Sequence, residues 1–405
     1  MKILHTADWH IGKKLHKHYL HEDFERFITW LLTCIQEHQV EVVLISGDVF
    51  DLANPSAEAR RQYYLALKKL SNLNCKIIIT GGNHDSPSML DAPREILEAL
   101  NVHIIGGMPQ DPAQCLIPIR NKAGEVELVV AAISFLRDSD LRAAEEGVSY
   151  DTRIEAIRKG IEAVFAQAAA LCKQRFPGLP VIAMGHLYAA GIESSESERD
   201  IQIGNQAAFQ ASQFGDYFSY VALGHIHKPQ RINAAIPAFY SGSPLPLSFS
   251  ERKDEKRVLL LDTEAGFEPK SLAIPAFRKL IKVSGTLDQI KAKLSILSAE
   301  GELTNLIEVE LLEEDFDARL ISELDDLVTQ FDKPGMEIVK HRASFKNRLR
   351  ETGKLFDSHQ KLEDLKPREV FAKMLEQNSY DAETKAEVTR AFQELVEQIT
   401  NADPA

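Results

Sequence analysis

The chain is poor in cysteine, in long apolar runs and in basic residues. Its four cysteines (Cys34, Cys75, Cys115 and Cys172) are scattered, with neither the spacing of a metal knuckle nor the density of a disulfide framework. They read as reduced thiols. No apolar run is long enough to span a bilayer, and the opening Met1-Lys2-Ile3-Leu4-His5 reads as a strand, not a signal peptide. A cytoplasmic location with no membrane partner is expected. Lysine and arginine number 47 against 60 acids, a net charge of −13, which counts against a binder that holds nucleic acid by surface charge alone. The imbalance is local, however: acid concentrates between Glu300 and Asp326, while basic residues gather at Lys13, Lys14 and Lys17 and from His341 to Lys354. Bound divalent cations would also reverse the field at a site. Internal repeats and low-complexity tracts are lacking too.

What is present is a globular chain of 405 residues, 44% hydrophobic, with room for two or three domains. Val42 to Ile45 is too short and too β-branched for a buried helix, so it is expected to be a core strand that ends at Gly47-Asp48-Val49-Phe50-Asp51. The carboxyl ends of such strands are where ligands collect. Strand-like runs of the same kind end at Asp8-x-His10, Gly82-Asn83-His84-Asp85, Gly185-His186 and Gly224-His225-x-His227. One glycine–histidine pair is background, and a lone histidine at a strand end is more often a satisfied core residue. All five segments together, each at a strand end, describe a catalytic site. Imidazoles with carboxylates and an amide, without thiolates, suit Mn²⁺ or Fe²⁺, with Zn²⁺ as an alternative, and Mn²⁺ is the first choice; a Mg²⁺ site would carry more oxygen ligands and water. Two such cations, roughly 3.5 to 4 Å apart, would clamp a phosphate and activate a water.

Between these strands, apolar residues at helical spacing predict helices over residues 21–39, 55–70 (opened by Asn54-Pro55), 88–100 and 152–172. Strands are predicted near 76–80, 102–105, 127–133, 181–184, 220–223, 238–241 and 258–261. The fold class is therefore α/β in layers. Near Ile274-Pro275 the pattern changes. Residues 275–342 read as a small α/β capping domain, with a capping box at Thr286-Leu287-Asp288-Gln289. Residues 343–366 read as a polar linker, and residues 367–405 as a C-terminal helical segment. In its last helix Val388, Phe392, Leu395 and Ile399 form a stripe without an evident partner in so short a segment.

The five motifs, with Ser241-Gly242-Ser243-Pro244-Leu245-Pro246-Leu247-Ser248-Phe249, resemble the calcineurin-like metallophosphoesterase family, and within it the nuclease subunits of bacterial DNA-repair complexes. The resemblance spans nearly the whole chain in layout and is weak in sequence beyond about Pro275. It implies a β-sandwich flanked by helices for residues 1–274. It also implies one metal held by Asp8, His10, Asp48 and His227, a second by Asp48, Asn83, His186 and His225, and His84 facing the scissile phosphate. Asp85 and Asp51 are implied as partners that orient imidazoles. Some relatives outside bacteria carry histidine where this chain has Asp51, which leaves that role open. The implied activity is a Mn²⁺-dependent nuclease cutting double-stranded DNA ends 3′ to 5′ and opening hairpins, with an SMC-family ATPase docked on the C-terminal helices and a homodimer inside a heterotetramer.

Competing readings are a phosphatase or small-molecule phosphodiesterase on the same fold, and an inactive scaffold, whose mark would be missing ligands. Lys13, Lys14, His16, Lys17 and His18 form a loop that could meet a DNA backbone or simply be solvated. His5, inside a strand, is expected to be a core residue. Helices 55–70 and 88–100 could form the dimer face or only cover their own sheet.

Overall fold

The computed structural model describes residues 1–141, 150–193, 195, 197–198, 209–347 and, near the C-terminus, 371, 375, 384–385 and 387–392. The chain opens with β1 (Lys2–Thr6), a small hairpin β2 (Lys14–Leu15) and β3 (His18–Tyr19), and α1 (His21–His38). It alternates through β4 (Val42–Ser46), α2 (Ala57–Ser71), β5 (Lys76–Thr80), α3 (Pro87–Asp91), α4 (Arg94–Glu98) and β6 (Val102–Ile105). There follow β7 (Leu116–Arg120), β8 (Val126–Ala132), α5 (Asp138–Leu141), α6 (Tyr150–Arg175), β9 (Val181–His186), β10 (Tyr220–Gly224), β11 (Gln230–Arg231), β12 (Ala238–Tyr240), β13 (Arg257–Asp262) and β14 (Lys270–Ala273). Last come β15 (Leu280–Gly285), α7 (Leu287–Ile296), β16 (Asn305–Glu313), α8 (Ala318–Thr329) and β17 (Met336–Phe345).

Two six-stranded sheets have the orders β14-β13-β1-β4-β5-β6 and β11-β12-β10-β9-β8-β7. β1, β4, β5 and β6 run parallel in the first, as do β8, β9, β10 and β12 in the second. Alternate residues of each strand face opposite ways. Ile3, Val42, Leu44 and Ile78 meet Val130, Ile182, Met184 and Ala222 between the sheets. Leu4, Val43, Ile45, Ile77 and Ile79 pack outward among the helical residues Phe27, Leu31 and Leu67. Val129, Ala183 and Val221 do the same with Ile157, Ile161 and Phe165 of α6. Each such aliphatic side chain contributes about 1.5–3 kcal/mol when buried, and because both faces of these strands are covered the sequence shows continuous apolar runs.

Several expected boundaries shift for local reasons. The helix placed at 55–70 is capped by Ser56, whose hydroxyl accepts from the Ala59 amide at 3.1 Å, not by Asn54. The helix placed at 88–100 is two short helices broken at Pro93. The 12–20 loop contains the β2–β3 hairpin. The Thr286 box forms as expected, with Thr286 and Gln289 exchanging bonds of 3.2 and 3.4 Å.

The chain divides into two compact units. One comprises Met1–Val283, Ile296–Val309 and Phe331–His341, the other Ser284–Ser295, Glu310–Gln330 and Arg342–Ala405. In the first, Arg278 makes a buried two-pronged ion pair with Asp23 at 2.6 and 2.7 Å and donates to the Thr304 carbonyl. In the second, Phe316 packs against Phe345 and Phe371 stacks on Phe392. β17 runs to Phe345, beyond the expected boundary at 342. Most of the expected linker and C-terminal helical segment, including Leu395 and Ile399, lies outside the described residues. Among the described residues no helix is long and apolar enough to cross a membrane.

Candidate metal centre

The carboxyl ends of five parallel strands from both sheets deliver the polar residues. Asp8 and His10 follow β1, Asp48 follows β4, Asn83 and His84 follow β5, His186 ends β9, and His225 and His227 follow β10. Between Asp8 and His10, Trp9 points the other way into α1, against Phe24 and Phe27. The turn is tied to the β4 loop by bonds from the Asp8 and His10 amides to the Gly47 and Asp48 carbonyls at 3.1 and 3.0 Å.

The backbone at these ends is unusual. Asp8, His10, Asp48 and His225 all have positive φ, at 54°, 43°, 46° and 100°, a region that costs a non-glycine residue about 1–3 kcal/mol. Glycines make the convergence possible. A Cβ on Gly224 would fall onto the Ser46 carbonyl, and one on Gly82 onto the Asp48 amide and carboxylate.

Three groups of ligand atoms result, each within 4.8 Å: Asp8, His10 and His227; His10, Asp48 and His84; and Asp48, His186 and His225. Asn83 joins the third, its Oδ1 lying 2.9 Å from His186 Nε2 and 3.2 Å from His225 Nδ1. Asp48 Oδ2 lies 3.6 Å from His10 Nε2 and 3.3 Å from His186 Nε2, between two of the groups. His10 and His227 face each other through their Nε2 atoms at 3.1 Å, and Asp8 Oδ2 is buried with no hydrogen-bond partner. Two imidazole nitrogens facing each other beside a buried carboxylate oxygen without a hydrogen-bond partner fit a cation site.

Other groups hold the rings. His10 Nδ1 is 3.2 Å from Asp51 Oδ1, which also receives Lys13 Nζ at 3.1 Å. His186 Nδ1 donates to the Ser46 carbonyl at 3.1 Å and His84 Nδ1 to the Asp51 carbonyl at 2.7 Å. Asp85 does not orient an imidazole, contrary to expectation: its carboxylate accepts from the Val49, Phe50 and Gly82 amides at 3.0, 2.9 and 2.8 Å. It bolts the β4 loop to the β5 loop.

The metal-free cluster shares protons unevenly. Burial pushes the Asp8 carboxyl up to about 7. Burial also opposes ionisation of Asp48, but the His186 charge and hydrogen bond override it and hold Asp48 well below the carboxylate range. Burial drives His10 down to about 4 and His225 well below the imidazole range, whereas in His186 the Asp48 charge outweighs burial and raises it to about 9.

His5 is buried in the sandwich, with Nδ1 3.0 Å from the Tyr220 hydroxyl. In the basic loop, Lys13 is engaged by Asp51, His16 stacks on Phe249, and His18 Nδ1 meets Glu337 at 3.0 Å. The carboxylates Glu198 and Glu251 and the buried Lys256 are polar neighbours of the cluster that sequence reasoning misses. All three surround His227. The one signal for Glu251 is its place directly after the Ser241–Phe249 segment.

Residues 1–229 match the calcineurin-like phosphoesterases, the class that this sandwich and its cluster define, and residues 276–379 match a type 5 capsule protein repressor C-terminal domain. Over 283 residues the chain is 38% identical to the SbcD component of nuclease SbcCD from Rhodobacter capsulatus, covering 68% of this chain and 69% of that one. It is 34% identical to the Escherichia coli K12 SbcD protein over 298 residues, 73% of each chain, and 34% identical to the Bacillus subtilis 168 SbcD protein over 271 residues, 66% of this chain and 68% of that one. Within the phosphoesterases, the chain belongs to the SbcD family of SbcCD nuclease components.

Proposed function

We propose that the chain is a metal-dependent nuclease that hydrolyses phosphodiester bonds in DNA, with two Mn²⁺ ions as its cofactor. The observation that carries the reading is Asp48, whose carboxylate stands between ligand groups contributed by both sheets. Asp8, His10, Asp48 and His227 would hold one cation, and Asp48, Asn83, His186 and His225 the other. When bound, such a pair supplies Lewis-acid polarisation of phosphate oxygens and an activated water.

The protein's own part is positional and protonic. The Asp51 carbonyl accepts from His84 Nδ1, so Nε2 is the atom through which His84 transfers a proton to a departing sugar oxygen. Asp51 and the Ser46 carbonyl fix His10 and His186 in the tautomers that present Nε2. Asp85 keeps the two loops in register.

The relatives' name supports SbcC as partner, taken here as an SMC-family ATPase. In that reading ATP in the partner drives 3′ to 5′ cutting of duplex ends and opening of hairpins, in the cytoplasm. Residues 275–342 would cap the substrate, and residues 367–405, joined by the 343–366 linker, would dock on the ATPase. The exposed Ile96 and Leu100 support a homodimer face near α4.

The test is hydrolysis of labelled duplex and hairpin DNA beside a phosphomonoester, with Mn²⁺, with and without SbcC and ATP. Cutting of DNA and not the monoester is expected. Turnover of the monoester with DNA untouched in every mixture would make the chain a phosphatase of the same fold.

A further inference from the structure

We propose that the buried pair Glu251 and Lys256 is a positioning device for His227, holding it with Nδ1 protonated and Nε2 turned toward the cation; the inference rests on the two-metal reading above. The Glu251 side chain is completely buried and that of Lys256 is 6% exposed. Lys256 Nζ directs its three protons to Glu251 Oε2 at 2.6 Å, Ser243 Oγ at 2.9 Å and the His227 carbonyl at 3.0 Å. Glu251 Oε2 also takes the Leu247 amide at 3.2 Å. Its other oxygen, Oε1, accepts from the Ser197 hydroxyl and lies 3.5 Å from His227 Nδ1. Ser197 Oγ lies 2.6 Å from that Nδ1 and, with its own proton given to Glu251, is left to act there as an acceptor.

The pair therefore touches one residue from both ends, carboxylate toward the ring and ammonium on the main chain. A buried ion pair contributes little to stability alone, since apolar replacements often serve as well. Direction is what this one supplies. An acceptor chain at Nδ1 leaves Nε2 as the bare nitrogen, which is the atom aimed at His10 Nε2 and Asp8. Asp51 and the Ser46 carbonyl do the same for His10 and His186, so Glu251 completes a set in which three of the rings that face the cations are held from behind.

The test compares the wild-type chain with two paired variants: Glu251→Leu with Lys256→Met, which removes the carboxylate that takes the Ser197 proton and so frees that hydroxyl to donate to Nδ1, and Glu251→Gln with Lys256→Met, which keeps an acceptor oxygen for Ser197 and removes only the charges. Mn²⁺ titration followed by paramagnetic resonance reads both metals separately from catalysis, and melting of the metal-free proteins reads folding. The wild type is expected to take two Mn²⁺ per chain. The leucine variant should lose about tenfold to a hundredfold in affinity for one of them, while the glutamine variant rescues it and both melt alike without metal. Equal binding in all three proteins, or equal loss in both variants, would overturn the inference while leaving the metal centre standing. A wild type that binds no metal would overturn both. Should the leucine variant not fold, long-range ¹H–¹⁵N spectra of the metal-free wild type, taken at a pH where the His227 ring is neutral, decide: an Nδ1–H tautomer at His227 supports the role, and an Nε2–H tautomer ends it.

Discussion

The main-chain amide of His84 donates to Oδ1 of Asp48 at 2.8 Å, so the residue proposed to transfer a proton hangs from the carboxylate that stands between the candidate ligand groups. The two side chains nevertheless do separate work. His84→Ala keeps that amide and every proposed ligand, and is expected to retain both Mn²⁺ while losing about 10²–10⁴-fold in the rate of hydrolysis. Asp48→Ala should lose metal and activity together. Metal content measured beside turnover separates the cases, and loss of metal in His84→Ala would make His84 a ligand.

Metal binding should be tied to pH. In the metal-free chain burial keeps a proton on Asp8 until about pH 7, and a cation must displace it. Manganese affinity is then expected to rise by about tenfold per pH unit below 7 from this group alone and to level off above it. Titration calorimetry in two buffers of different ionisation heat would count the protons released. An affinity flat from pH 6 to 8 would mean that Asp8 is already ionised.

His5 offers a second pH dependence, away from the metal. Burial lowers it to about 3 in the folded chain, against about 6.5 when unfolded. The unfolded state binds the extra proton between those values, so the stability this group confers is present above 6.5 and drains away as pH falls toward 3. At pH 5.5 the loss is about 1.4 kcal/mol relative to neutral pH. The unfolding free energies of wild type and His5→Gln, from urea titrations at pH 7.5 and 5.5, should change relative to each other by that amount, and an unchanged difference would show that His5 binds a proton as readily in the fold as in the unfolded chain.

Glycine substitutions should rank by what the new methyl meets. In Gly224→Ala it meets the Ser46 carbonyl, backbone that cannot turn aside, whereas in Gly185→Ala it meets the tips of Phe165 and Leu223 at 3.1 and 3.2 Å. The first is expected to cost about 3 kcal/mol, the upper end for an overpacked core, and the second about 1 kcal/mol. Thermal unfolding of the two metal-free proteins compares them directly.

The candidate ligands are legible in the sequence because each closes an apolar run that is buried on both faces, as Val42 to Ile45 shows. Strands such as Leu116–Arg120 and Lys270–Ala273 are not: Pro118 interrupts the first, and the second has too little buried surface to leave a pattern. Pro93 is the local clue to the broken helix, overridden by the helical spacing around it. The carboxylates behind the site carry no period at all. Glu251 sits in a short helical turn and reaches His227 across 24 positions of sequence, a contact that only the folded chain defines. Asp85 is misjudged from sequence because its three partners are backbone amides with no signature in residue type, while the histidine before it suggests an imidazole.

The left-handed backbone at Asp8, His10, Asp48 and His225 sets a limit on engineering. Asparagine at Asp8 or Asp48 keeps Oδ1 as the acceptor for the His225 and His84 amides, tolerates that backbone and removes a buried charge, so selection for heat resistance alone would favour it. Each such gain would remove a ligand or loosen its aim. The most thermostable descendants of this sequence would then be found among its inactive ones unless the screen were run with the cation present, when binding offsets the strain of the native residues.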